Sequence, residues 1–209
     1  MSSTPETRRR GFVRDILGRS DYAIISELIE PGARVLDLGC GEGELLEWLA
    51  HNKGVQGRGI ELDGPRVQRA IARGVTAYQG NIDAGLADYP NGSFDYVILS
   101  QTLQETRRPL NVIQEMLRVG QHAIVTFPNY GHWSVRLSLL FGGRAPRTHC
   151  FPYQWYDSPN IHFLTIKDFE ELVRAQGWTV EREIFLAGHR AGTFLANLIA
   201  EVAVFLVSK

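Results

Sequence analysis

"VLDLGCGEG" occupies residues 35–43. Its first half belongs to "RVLDLG" (34–39), a short apolar run that turns abruptly to glycine, as a buried strand does at its carboxyl end. Gly39, Gly41 and Gly43 allow a tight turn and the close approach of a ligand to backbone amides. "ELLEWLAHN" (44–52) then reads as a helix. A glycine loop between strand and helix faces the carboxyl edge of a sheet, where open α/β folds bind ligands. The spacing is G-x-G-x-G, which is not the dinucleotide pattern G-x-G-x-x-G. Glycines alone leave the ligand undecided.

Two acids narrow the choice. Asp37 sits just before the loop, and Glu61 ends the next apolar run, "VQGRGIEL" (55–62), where such folds hold ribose hydroxyls. A dinucleotide brings an anionic pyrophosphate to this turn, which the Asp37 carboxylate repels. S-adenosylmethionine brings an ammonium and a sulfonium, which the carboxylate attracts. A purely structural role, orienting the loop amides, is the competing reading of Asp37. Cys40, inside the loop, reads as a small buried filler and not as a nucleophile.

Outward from this loop, strand and helix patterns alternate. "SDYAIISELI" (20–29) has helical spacing, with Ser20 or Asp21 placed to cap it and Pro31-Gly32 to end it. "DGPRVQRAIARG" (63–74) carries an acid cap, an early proline and a terminal glycine. "VTAYQG" (75–80) and "FDYVILS" (94–100) predict strands. "RRPLNVIQEMLRVG" (107–120) predicts a helix, and "HAIVTFP" (122–128) a buried strand. "TIKDFEELVRAQG" (165–177) opens with a capping-box pattern at Thr165 and Asp168. "TVEREIFLA" (179–187) and "EVAVFLVS" (201–208) close the series. The pattern predicts a doubly wound α/β fold with a parallel sheet.

Bulk properties bound the function. The 209 residues carry a net charge of −1, with 44% hydrophobic and 22% charged residues. That is ordinary globular composition without a global basic field for nucleic acid. The one basic cluster, "RRRGFVR" (8–14), reads as a solvated arm, so residues 1–19 are expected to precede a single domain over 20–209. Two cysteines, Cys40 and Cys150, cannot build a disulfide framework. With no signal-peptide pattern, they predict a reducing, cytoplasmic setting. The apolar tail "FLANLIAEVAVFLVSK" (194–209) is too short and too polar to span a bilayer comfortably. No metal site is read from the sequence.

"VLDLGCGEG", with "GIELD" and "FDYVILS" after it, resembles the class I S-adenosylmethionine-dependent methyltransferases over most of residues 20–187. The resemblance implies a Rossmann-like, mostly parallel sheet with an antiparallel last strand, and S-adenosyl-L-methionine or S-adenosyl-L-homocysteine as the bound cofactor. It implies that Asp37, Gly39, Cys40 and Gly41 surround the methionine moiety, and that Glu61, with Leu62 beside it, takes the ribose. The position usually held by an adenine-binding Asp is Asn81, whose amide oxygen can still accept a hydrogen bond. Ile82 would offer an adenine-facing amide, and Ser100 and Gln101 would lie near the sulfonium.

Residues 128–164 exceed the usual ~2–6 residue connection by far and predict an inserted lid after the fifth strand. Within it, "WSVRLSLLF" (133–141) reads as an amphipathic helix stopped by Gly142-Gly143. "FPNY" (127–130) reads as a turn. "PYQWYDSPNIHF" (152–163) crowds aromatic residues between prolines; it reads as a cover for the cofactor, a docking surface, or a small core around Trp155 and Tyr156. Candidate catalytic groups are His132, Tyr153 and His162, with a structural role the simpler reading of His162. "RSDYAIISELIEPGARVLDLGCGEG", "RVGQHAIVTFPNYGHWSVR" and "PYQWYDSPNIHFLTIKDFEEL" closely resemble the MetW family of methionine-biosynthesis proteins. That resemblance implies homoserine O-acyltransferase as a partner and an accessory role in its reaction. The alternative is an active methyltransferase with a small-molecule acceptor.

Overall fold

A computed structural model describes residues 20–148, 151–187, 189–191 and 194–209. The basic cluster at 8–14 and Cys150 lie outside the described residues. The chain begins with α1 (Ser20–Leu28) and continues through β1 (Arg34–Leu38), α2 (Glu44–Lys53), β2 (Gln56–Glu61), α3 (Gly64–Ala72) and β3 (Thr76–Gln79). It proceeds through β4 (Phe94–Ser100), α4 (Pro109–Val119), β5 (Gly120–Pro128), α5 (Trp133–Gly142) and α6 (Ile166–Gln176). It ends with β6 (Thr179–Ala187), β7 (His189–Ala191), α7 (Ala196–Ile199) and β8 (Val202–Ser208).

Among the described residues, the strands form an eight-stranded sheet in the order β3-β2-β1-β4-β5-β8-β6-β7. The first five strands run parallel, and β8 enters antiparallel between β5 and β6. The order reverses beside β1, which leaves a crevice at the carboxyl ends of β1 and β4. The antiparallel last strand expected from the resemblance is therefore present. The short β7 edge was not legible.

The central strands are buried on both faces, and their residues alternate between two cores. In β4, Val97 and Leu99 point to one side, and Tyr96 and Ile98 to the other. The first core packs Ile113 and Met116 of α4 and Phe169 of α6 against β5 and β8. Phe127, Phe169 and Phe205 meet there, with ring centroids 4.8–6.0 Å apart. The second core receives Ile25 of α1 and Leu45, Leu46 and Leu49 of α2.

Local signals placed most element ends. Asp63 caps α3 by accepting the Arg66 amide at 2.9 Å, and Thr165 with Asp168 forms a reciprocal capping box on α6. The expectation for α5 needs correction. Its cap is right, with Gly143 left-handed at φ 57, yet Val135 is its one buried side chain. Leu137, Leu139, Leu140 and Phe141 face solvent. The apolar spacing is real, but no core lies beneath it. "FPNY" is the corner that leaves β5. The buried Asn129 binds it down, accepting from the Gly131 amide at 2.9 Å and donating to the Ala200 carbonyl at 2.8 Å. The apolar tail supplies α7 and β8; among the described residues no helix is long and apolar enough to cross a membrane.

Candidate functional site

After Leu38 the chain turns through Gly39, Gly41 and Gly43, all with positive φ. The loop amides point back into the protein. The Ile60 carbonyl accepts from Gly39 at 2.7 Å and from Cys40 at 3.1 Å. Glu61 accepts from the Gly41 amide at 2.9 Å through Oε2 and from the Asp63 amide at 3.0 Å through Oε1. The sequence reading left the glycine amides to a ligand; the structure gives those of Gly39 and Gly41 to β2 and that of Gly43 to the Cys40 carbonyl at 3.0 Å within the loop. An anion-binding loop needs amides aimed at its ligand. What this loop presents instead is carboxylate.

Gly41 is where the loop opens. A Cβ built there meets nothing within 4 Å, and its φ of +58° disfavours other residues. Cys40 points the opposite way. A Cβ on Gly59 would lie 2.4 Å from its Sγ, so only glycine on β2 accommodates this thiol. Burial pushes the Cys40 thiol up to about 12, helped by the neighbouring Asp37 and Glu61 charges. It stays protonated and inert.

The loop forms one wall of a cleft of about 490 Å³. Asp37, Gly39, Gly41, Glu61, Leu62, Asn81, Ile82, Ser100 and Gln101 all line it. Cys40 does not. Asp37 and Glu61 are buried at the ends of β1 and β2. The Ser100 hydroxyl donates to Asp21 of α1 at 2.9 Å and so joins that helix to the cleft wall. Asn81 accepts the Asp83 amide at 3.0 Å through Oδ1, which leaves that oxygen one further lone pair. Gln101 adopts φ 53, a conformation uncommon outside glycine, held by the Thr126 carbonyl at 3.1 Å and hydroxyl at 3.0 Å.

Other wall residues escaped the sequence reading: Tyr22, Arg66, Asp83, Thr102, Glu105 and Thr106. Asp83 is fixed by the Arg107 and Arg108 amides at 2.9–3.1 Å, and Glu105 sits in the short turn after β4. Partial desolvation by the cleft wall raises the Glu105 carboxyl above the usual range, against the opposing pull of Arg66, although the residue stays exposed to solvent. Their positions after strand ends were a signal, but Tyr22 arrives from α1 with no motif to mark it.

The three catalytic candidates do not reach the cleft wall. His132 is buried and caps α5, with Nδ1 2.7 Å from the Ser134 hydroxyl. Tyr153 and His162 are exposed. No residue between 128 and 164 lines the cleft among the described residues. The 152–163 stretch instead docks through its backbone, with Ile161 and His162 amides donating to the Gln104 carbonyl at 2.9 and 3.0 Å. The Gln104 side chain donates to the Gln101 carbonyl at 2.7 Å, while its buried Oε1 has no hydrogen-bond partner among the described residues.

The acids Asp37, Glu42, Glu44, Glu61, Asp83 and Glu105 line the cleft with Arg66 as their cationic counterpart. Glu42 pairs with Arg69 at 2.7 Å and Glu44 with Arg73 at 3.3 Å, while Asp37 and Glu61 are the buried members of this group. Such a cleft favours a cationic ligand. Among the described residues no group of three His, Cys, Asp or Glu side chains is placed to hold a metal.

The model of the MetW methionine biosynthesis protein family matches residues 19–207. This chain belongs to the MetW family. A relative in Rhodopirellula baltica, described as a bifunctional methionine biosynthesis protein MetXA/MetW, is 33% identical over 180 residues. That match takes in 82% of this chain and 29% of the relative, so the chain spans under a third of that protein's length. Among solved structures, an S-adenosylmethionine-dependent methyltransferase from Archaeoglobus fulgidus superposes with a TM-score of 0.67 at 14% identity, covering 94% of both chains. The cyclase SpnF superposes with a TM-score of 0.65 at 19% identity, covering 90% of this chain and 80% of its own. The MetW-family chain thus has the methyltransferase-like fold, and a fold shared with a cyclase does not name a reaction.

Proposed function

We propose that this chain binds S-adenosylmethionine, or its demethylated product, in the Asp37–Glu61 cleft, and that it supports a homoserine O-acyltransferase in methionine biosynthesis. One observation carries the ligand reading. The amides of Gly39, Cys40 and Gly41 are bonded to β2 and that of Gly43 to the loop itself, and the site offers two buried carboxylates, a lining suited to a cation and unsuited to a pyrophosphate. Asp37 attracts the ligand's ammonium. Each Glu61 oxygen holds one backbone amide and keeps a lone pair for a ribose hydroxyl. Asn81 and Ile82 offer polar groups to the adenine edge. When bound, S-adenosylmethionine supplies an electrophilic methyl on a sulfonium.

The partner reading rests on the fused relative, whose name joins a MetXA unit to the unit this chain resembles. Fusion holds two units at high effective concentration, which is useful when they act together. Copurification from native cells, followed by an acyltransferase assay with and without this chain, tests it. Faster or more durable acylation with the chain present is expected; equal rates and no copurifying acyltransferase would refute it.

A second reading, methyl transfer to a small acceptor, draws on Glu105, a carboxyl of raised pKa on the cleft wall. A base poised nearer neutrality is suited to taking a proton from an acceptor. Release of S-adenosylhomocysteine with a defined small molecule would establish it, and Glu105→Gln should then slow turnover.

A further inference from the structure

The strongest feature outside the cleft is an apolar surface at the same end of the sheet. α5 contributes Leu140 and Phe141, the latter 80% exposed. The 152–163 stretch contributes Trp155 at 77% and Phe163, and the turn before α7 contributes Phe194 at 84%. Large apolar side chains exposed singly are ordinary, whereas several carried on segments anchored to one another offer an interaction site.

These three segments are tied together. Arg136 of α5 donates to the Gly131 carbonyl at 2.6 Å and to the Asn197 carbonyl of α7 at 3.4 Å. The Tyr130 ring packs on Phe163 at 4.7 Å, and its amide donates to the Leu164 carbonyl at 3.0 Å. The buried Asn129 donates to the Asn197 carbonyl at 3.2 Å and lies 3.4 Å from the Ile166 amide. The surface is therefore seated on the corner that ends β5, not on a loose excursion. Trp155 and Tyr156 meet edge to face at 5.5 Å while both stay exposed, so they are not a core.

Composition suits docking. In "WSVRLSLLFG" (133–142) Arg136 is the one charged residue, and in 151–163 Asp157 is the one acid. Depletion of charge with enrichment of Trp, Tyr and Phe is the signature of an interface centre. Arg136 and the exposed Arg144 and Arg147 give the patch a basic margin.

We propose that this surface, formed by α5, residues 152–163 and the turn before α7, is the face that docks the homoserine O-acyltransferase. The proposal rests on the partner reading above. The occupant follows from the fused relative, in which this unit is carried on one chain with a MetXA unit. The basic margin calls for an apolar patch with an acidic rim on the acyltransferase. The surface adjoins the cleft through Gln104, whose carbonyl holds residues 161 and 162 and whose side chain bonds Gln101 on the cleft wall.

The test uses the full-length chain and purified acyltransferase of the same organism in surface-plasmon titrations, with light scattering of the chain alone. The variants are Leu140→Ser with Phe141→Ser, Trp155→Ala, and the exposed distant control Ile71→Ser on α3. Melting temperature and S-adenosylmethionine affinity report that each is folded. The expected result is binding by wild type, a loss of tenfold or more in the double variant and in Trp155→Ala, and a change under twofold in Ile71→Ser. Equal affinity for wild type and the surface variants overturns the surface while leaving the partnership standing. A wild-type dimer that the double variant splits, with acyltransferase affinity unchanged, assigns the face to a second copy and also overturns it. Absence of any wild-type binding refutes the partner reading itself.

Discussion

Glu61 does two jobs at once: it fixes Gly41 and Asp63 by their amides and aims a buried carboxylate into the cleft. Glu61→Gln is expected to weaken S-adenosylmethionine binding by about 1.5–3 kcal/mol, the loss of charge-assisted bonds. Glu47→Gln is the contrast. Glu47 pairs with Arg73 at 3.1 Å away from the cleft, so calorimetry should find its affinity near that of wild type. Equal losses would remove the ribose assignment. That Asp37, Glu61, Asn81, Ser100 and Gln101 line the cleft was legible because clefts in this fold open at strand ends, and strand ends are marked by glycines and apolar runs. Tyr22 was not legible, since it arrives from a helix whose pattern reports only its buried face. The direction of the loop amides was not legible either, because it depends on the register of β1 against β2.

At the scale of elements, caps and breakers carried the reading. Asp63, the Thr165–Asp168 box and Gly177 at φ 68 place helix ends by local hydrogen bonding, which sequence shows directly. α5 misled because periodicity reveals a stripe and not what faces it. The turn before β4 is held by a less obvious device. Glu115 accepts from Arg118 at 2.7 and 2.8 Å and from the Leu86 amide at 3.0 Å, while Arg118 donates to the Leu86 and Tyr89 carbonyls at 2.9 Å. The Arg118 guanidinium holds the Glu115 carboxyl below its usual range. A carboxyl depressed in the folded state stabilises above its unfolded pKa and loses that contribution as pH falls through the folded value. Glu115→Gln should therefore cost roughly 1 kcal/mol at pH 7, after discount for solvent screening, and the gap from wild type should close at an acid pH below the lowered Glu115 value. Denaturation curves at both pH values check this; a gap that persists in acid would contradict the ion-pair account.

On the scale of the whole molecule, stability and docking occupy different aromatics. Phe205 lies fully buried among Phe127, Phe169 and Phe185, whereas Trp155 is exposed. Phe205→Ala should cost about 3–5 kcal/mol. Trp155→Ala should stay within about 0.5 kcal/mol. At ~2–4 °C per kcal/mol for a domain of this size, a thermal scan separates them easily. A large loss at Trp155 would return 152–163 to the core. The doubly wound sheet was legible from alternation alone, whereas the antiparallel β8 was expected only from the resemblance to class I methyltransferases. That the long insertion stands beside the cleft without lining it was not legible, because only tertiary packing decides where an irregular segment rests. The central claim is a cleft built for a cationic nucleoside, and calorimetric titration of the chain with S-adenosylmethionine and with NAD tests it most directly. Saturable binding of S-adenosylmethionine, weakened about tenfold or more by Asp37→Asn, with no heat from NAD, is the predicted result. Binding of NAD, or S-adenosylmethionine binding indifferent to the Asp37 charge, would contradict it.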